Sequence, residues 1–291
     1  MNEIRQALNC CPEAVKRKIF QLPRGELKLL EEIRFRNGQP LCYLANGREK
    51  EISGIRTDAP LLQFILDHAT EHSAYAAGEM LKNGFLTLTG GHRLGLCGRG
   101  VYKENSLSSI RDISSVNLRI AREIRGAADE AAGYLWTHPF STLILGPPGR
   151  GKTTLLRDLI RQLSDRFFWR ISVSDERFEI ASCVNGMPQF SLGAHIDVLS
   201  GIRKSEAINI LLRTMSPQWI ALDEITAASD VEEICRASYC GVKFLATAHV
   251  SCPEELKTRP VYRELLESRV FRNLVFIRED RSLQMGGVPN D

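Results

Sequence analysis

The sequence predicts an α/β protein, with a central, mostly parallel sheet in residues 127–291 and a smaller α+β domain before it in residues 1–126. Three observations carry this reading. The first third alternates apolar and polar residues between Asn-Gly and Gly-Gly turns, which is the period of antiparallel strands. After Gly126, short apolar runs alternate with helix-like segments, which implies parallel pairing with functional residues at the strands' carboxyl ends. The first of those runs leads into a glycine-rich turn and then a helix.

Taken in order, "EEIRFRNGQPLCYLANGREKEI" sets apolar residues at Ile33, Phe35, Leu41 and Tyr43, with turns at Asn37-Gly38 and Asn46-Gly47. Asn-Gly between alternating runs marks a hairpin, because both turn residues need positive φ. "APLLQFILDHATEHSAYAAGEMLKNG" has helical spacing at Leu61, Phe64, Ile65 and His68 and again from Tyr75 to Leu81, stopping at Gly84. "FLTLTGGHRLGLCGRGVYKE" is a second alternating pair, folded at Gly90-Gly91. Beyond Gly126, "STLILGPPGRGKTTLLRDLIRQL" reads as strand, turn and helix, and further strands are predicted at "FWRISVS", "QWIALDE", "VKFLATA" and "NLVFIRE".

The composition, 43% hydrophobic and 25% charged over 291 residues, is that of an ordinary soluble globular chain. No run approaches the roughly 18 to 20 apolar residues that a membrane-spanning helix needs. The segment "MNEIRQALNCCPEAVKRK" mixes acids with bases and has no apolar core, so a signal peptide is not expected. The chain is expected in the cytosol, or docked from that side on a membrane-bound partner. Residues 1–126 carry 19 Lys/Arg against 14 Asp/Glu and the remainder 19 against 21, an excess too small to argue for a nucleic-acid surface. None of the eight cysteines forms a C-x-x-C pair, so free thiols and no zinc site are expected.

The chemistry concentrates after Gly126. Gly146, Pro147, Pro148, Gly149, Arg150, Gly151, Lys152 and Thr153 fit G-x-x-x-x-G-K-[ST], followed by Thr154. Glycines permit the tight loop, whose N–H groups and following helix N-terminus surround phosphates. Lys152 is expected on the β- and γ-phosphates of ATP, and the Thr153 hydroxyl on Mg²⁺. "WIALDE" ends a strand on Asp223 and Glu224, about seventy residues later; Asp223 is expected to hold the metal and Glu224 to activate the attacking water. "RISVSDERFEIA" sets Asp175, Glu176 and Glu179 after another strand, either solvated or serving metal or water. His249 closes "FLATAH". By itself that is a capped core histidine; beside a phosphate loop it is expected to sense the γ-phosphate.

The phosphate loop, "SDERFEIA", "MSPQWIALDE" and "GVKFLATAH" occur in the order found in the type II and type IV secretion ATPases, which the chain resembles. More closely, "EEIRFRNGQPL", "TGGHRLGLCGRGV", "SSVNLRIAREIRGAAD" and "DERFEIA…NGMPQ…DVL…MSP…DEI" resemble the stage III sporulation AA family of endospore-forming bacteria, from about Glu32 to Ile277. Asp223 stands where the secretion ATPases usually carry Gly. The resemblance implies a RecA-like ATPase using ATP and Mg²⁺ in the mother-cell cytoplasm. It would work as a homo-hexameric ring, docked at the membrane through membrane-embedded components of a sporulation secretion complex. It also implies that basic residues from outside the loop domain reach the nucleotide. Arg93, Arg99, Arg119 and Arg122 are the candidates; each alone reads as a surface salt bridge, and at least one of the set is expected to be catalytic. Two alternatives stand beside the motor: a nucleic-acid-associated ATPase, disfavoured by the mild charge and 7% aromatics, and an assembly scaffold shaped by bound ATP.

Overall fold

The structure is a computed structural model that describes residues 1–288 apart from 72, 74–77, 79, 80, 82 and 253. The chain divides into two compact units, Met1–Arg122 and Glu123–Asp291. The sequence reading set this junction at Gly126, four residues later.

In the first unit, helices α1 (Asn2–Ala7), α2 (Glu13–Phe20) and α3 (Arg24–Leu29) precede strands β1 (Leu30–Arg36), β2 (Pro40–Ala45) and β3 (Arg48–Arg56). Helix α4 (Ala59–Ala69) and strands β4 (Phe85–Thr87), β5 (Arg93–Lys103) and β6 (Ser106–Arg119) follow. The six strands form one antiparallel sheet in the order β3-β2-β1-β6-β5-β4. Alternation decides which face is buried. Ile33, Leu118 and Leu94 lie in one cross-strand row and Phe35, Val116 and Leu96 in the next, all buried. Asn46 and Gly47 both take positive φ, 51° and 69°, as a two-residue hairpin demands. Asn37-Gly38 differs: only Gly38 is left-handed, because the Asn37 N–H continues the ladder to the Ser114 carbonyl at 2.8 Å and the turn widens. Asp58 caps α4 by accepting the Leu61 N–H at 2.9 Å. The expected continuation of the helix over 75–81 lies largely outside the described residues.

The second unit runs α5 (Asp129–Thr137), β7 (Thr142–Gly146), α6 (Lys152–Phe167), β8 (Ile171–Asp175), β9 (Ile196–Ser200), α7 (Lys204–Met215), β10 (Trp219–Glu224), α8 (Ala228–Ser238) and β11 (Lys243–His249). It ends with α9 (Glu255–Thr258), α10 (Pro260–Glu267), β12 (Asn273–Ile277) and β13 (Leu283–Gly287). The sheet order is β13-β12-β7-β11-β10-β8-β9, parallel except for the β12–β13 hairpin. Strands alternate between two cores: Ile144, Trp219 and Ala221 enter one, and Leu143, Leu145, Ile220 and Leu222 the other. Burial on both faces is why these segments read as continuous apolar runs. All five predicted strands form. Strands β9 and β13 are additions, polar or glycine-bearing edge strands that lack an apolar run.

Candidate active site

The site is assembled by strand order. Strand β11 lies between β7 and β10, and the register pairs His249 with Gly146 on one side and Thr247 with Glu224 on the other. The carboxyl ends of three neighbouring parallel strands thus bring together the start of the glycine-rich loop, the histidine and the glutamate. That edge is where open α/β sheets place ligands.

The loop from Gly146 to Gly151 connects β7 to α6. Gly149 and Gly151 lie in the left-handed region, at φ 74° and 92°, which a side-chain-bearing residue adopts only at a cost. Gly151 is the N-cap residue of the sixteen-residue α6, so Lys152, Thr153 and Thr154 form its first turn with the helix's unpaired N–H groups. The Lys152 ammonium donates to the carbonyls of Gly146 at 2.7 Å and Pro147 at 2.8 Å. Burial lowers its pKa to about 8, against the pull of Glu224. Arg150 is tied to Glu279, donating to its carbonyl at 3.2 Å.

His249 Nδ1 lies 3.1 Å from Glu224 Oε1, and both side chains remain partly exposed. Burial pushes the imidazole pKa down, the Lys152 charge pushes it further, and Glu224 opposes both. The ring is thus held near neutrality beside an acid. Its backbone is fixed from α10 and its N-cap residue: the His249 N–H donates to Tyr262 Oη at 3.3 Å, and Arg259 donates to the His249 carbonyl at 2.9 Å. Sequence reading missed these two supports.

The acids after β8 and β10 divide by environment. Asp175 is fully buried, and its oxygens accept four backbone N–H groups, from Glu179, Ile180, Ala181 and Ser182, at 2.7 to 3.1 Å. It organises the turn after β8, where the sequence reading had offered it for catalysis. Asp223, expected on the metal, is buried in an ion pair with Lys204 at 2.8 Å. Neither of its oxygens receives a hydrogen bond of good geometry. Burial raises the Asp223 pKa to about 6, with Lys204 opposing the rise. The same ammonium donates to Glu176 at 2.7 Å. Lys204 carried no signal in the sequence: an Arg-Lys pair opening a helix reads as solvated, and its two acids lie on other segments.

The four candidate arginines belong to the first unit, each with a local partner. The Arg93 guanidinium lies 3.6 Å from the centre of the Phe85 ring, and Arg99 pairs with Asp112 at 2.8 Å on the exposed surface. Arg119 pairs with Glu32 at 3.4 Å, and Arg122 donates to the Leu27 and Leu30 carbonyls at 3.2 and 2.7 Å. Among the described residues no group of three or more His, Cys, Asp or Glu is placed to hold a metal, and no helix is long and apolar enough to cross a membrane.

A parallel sheet carrying a G-x-x-x-x-G-K-T loop, an acidic strand and a histidine between them defines the RecA-like fold of the secretion ATPases. The chain shares it with the Legionella pneumophila ATPase DotB (TM-score 0.61, 15% identity, covering 94% of this chain and 79% of that one). It also shares it with the pilus retraction motor PilT, solved with bound ADP (TM-score 0.65, 16% identity, covering 96% and 83%). Within that class the chain belongs to the family of sporulation stage III protein AA, whose sequence model matches residues 2–289. It is 37% identical to stage III sporulation protein AA of Bacillus subtilis (strain 168) over 278 residues, 93% of this chain and 89% of the relative.

Proposed function

We propose that the chain is an ATP-hydrolysing motor of the secretion-ATPase type. It works as a homo-hexameric ring in the mother-cell cytoplasm, docked on membrane-embedded components of the sporulation complex and energising a channel to the forespore. The observation that supports the chemistry is the convergence of Gly146, His249 and Glu224 at the carboxyl ends of three adjacent strands, with His249 Nδ1 3.1 Å from Glu224 Oε1.

The loop and the α6 N-terminus receive the phosphates of ATP, and Lys152 exchanges the Gly146 and Pro147 carbonyls for phosphate oxygens. Phosphate oxygens carry full charge where carbonyls carry a dipole, so the exchange favours the ammonium form. The donor set suits Mg²⁺, which takes few protein ligands and keeps its waters and the nucleotide's phosphates. The Thr153 hydroxyl would hold the ion, and the ion's charge would neutralise that of the β- and γ-phosphates. Glu224 orients the attacking water and accepts its proton, and His249 holds Glu224 in place and responds to the γ-phosphate. At least one of Arg93, Arg99, Arg119 and Arg122 contributes to turnover. The Glu224–His249 pair favours this reading over a scaffold that only binds ATP, since binding needs neither side chain.

The test is affinity for a fluorescent ATP analogue. Lys152→Ala should abolish binding. In the wild type the phosphate-binding ammonium prevails below about pH 8 and is lost above it, so affinity should weaken between pH 7 and 9. Unchanged affinity in Lys152→Ala would remove the assignment.

A further inference from the structure

Four carboxylates stand at the ends of two neighbouring strands. The last paired positions of β8 and β10 are Ser174 and Leu222, so Asp175 and Glu176 leave one strand beside Asp223 and Glu224 on the next. The oxygens of Asp175 are occupied by four backbone N–H groups, and Glu224 is met by His249. The remaining two share Lys204, which is 2% exposed and reaches Glu176 at 2.7 Å and Asp223 at 2.8 Å.

The position of Lys204 is informative because nothing local favours it. It is the first residue of α7, where the helix's own N–H groups already present positive charge and a cation is disfavoured. A buried ammonium is stable only against anions that compensate both its desolvation and that dipole. The two anions differ in exposure: the Asp223 side chain is 5% exposed and Glu176 33%. One partner is therefore an internal counter-ion, while the other keeps a face toward solvent at the edge that carries Glu224 and the loop.

We infer that Lys204 is a positioning residue, which engages Asp223 as a buried counter-ion and holds Glu176 at the carboxyl edge of the sheet as a second acid beside Glu224. Asp223 then shapes the site through Lys204 and does not ligate Mg²⁺. Glu176, tethered by one oxygen, keeps the other for the water around the nucleotide. This inference rests on the ATP-hydrolysing reading above for the role of Glu176, and on geometry alone for the Lys204–Asp223 pair.

The experiment compares Asp223→Asn, Lys204→Met, the double variant Lys204→Met/Asp223→Asn, and Lys204→Arg. Melting temperature, affinity for a fluorescent ATP analogue with and without Mg²⁺, and steady-state phosphate release are measured for each. Asp223→Asn should keep the Mg²⁺-dependent gain in affinity within about threefold of wild type, since a lost ligand would cost at least the roughly ten- to a hundredfold that losing an outer-shell partner costs. Lys204→Met should melt well below wild type, because it strands a buried carboxylate, and the double variant should recover. The recovered protein should keep its KM for ATP within about threefold while kcat falls about tenfold or more, and Lys204→Arg should retain part of kcat. Loss of the Mg²⁺-dependent gain in Asp223→Asn would make Asp223 a ligand and overturn the inference. A double variant with wild-type kcat would reduce Lys204 to a counter-charge. Absence of turnover in the wild type would count against the ATPase reading and against the role given to Glu176. The binding and melting comparisons would still decide the Lys204–Asp223 pair.

Discussion

Glu224 ends β10 with its carboxylate 3.1 Å from the His249 ring, and both side chains keep some contact with solvent. An acid meant only to open a loop has no need of such a neighbour, whereas a base that must orient one water needs its rotamer held. Glu224→Gln keeps the shape and removes the base proposed above, so ATP affinity should persist while turnover falls about a hundredfold or more. His249→Ala should likewise spare affinity and slow hydrolysis by up to about a hundredfold, the scale of a misplaced catalytic group. Parallel binding titrations and phosphate-release assays check both. A large fall in melting temperature with normal turnover in His249→Ala would return the histidine to a structural role. At this scale the sequence was legible where a motif is contiguous, as in the run from Gly146 to Thr154. It was not legible where the partner sits on another segment: Lys204 meets Asp223 on β10 and Glu176 in the turn after β8, and no pattern within its own helix marks it.

Among the elements, strands buried on both faces were the most legible, because the central residues of β7, β10 and β11 must be apolar to sit between two cores. Edge strands β9 and β13 escaped, since one flank needs no apolar run. The turn after β8 shows how an acidic cluster misleads. "SDERFEIA" reads as three acids, either solvated or serving metal or water, yet Asp175 is consumed by the N–H groups of residues 179–182. A carboxylate that accepts four N–H bonds is a cap for a turn, and its loss acts on folding before chemistry. Asp175→Asn keeps one acceptor oxygen and turns an NH₂ group toward two of those N–H groups. Stability should fall by about 3 kcal/mol or more, taking two charge-assisted bonds at roughly 1.5 kcal/mol or more each. Denaturant unfolding measures this. An Asp175→Asn protein as stable as wild type but slow in turnover would restore a direct role in catalysis.

At the scale of the whole molecule, the family assignment rests on a match across nearly the entire chain, and the motor reading adds the ring and an arginine supplied from outside the loop domain. Arginine neutralises charge that develops during phosphoryl transfer, and one that arrives only in a particular arrangement of the ring couples hydrolysis to motion. Of the four candidates, Arg122 is tied to two backbone carbonyls, while Arg99 holds only an exposed pair of the kind worth under about 1 kcal/mol and is the easiest to redeploy. The most direct test of the account is phosphate release by the purified chain under multiple turnover, with each arginine replaced by Ala in turn and any inactive variant then mixed with Lys152→Ala. The account predicts many phosphates released per wild-type chain, loss of release in at least one arginine variant, and recovery on mixing if that arginine acts across subunits. Release that stops at or below one phosphate per chain would contradict it.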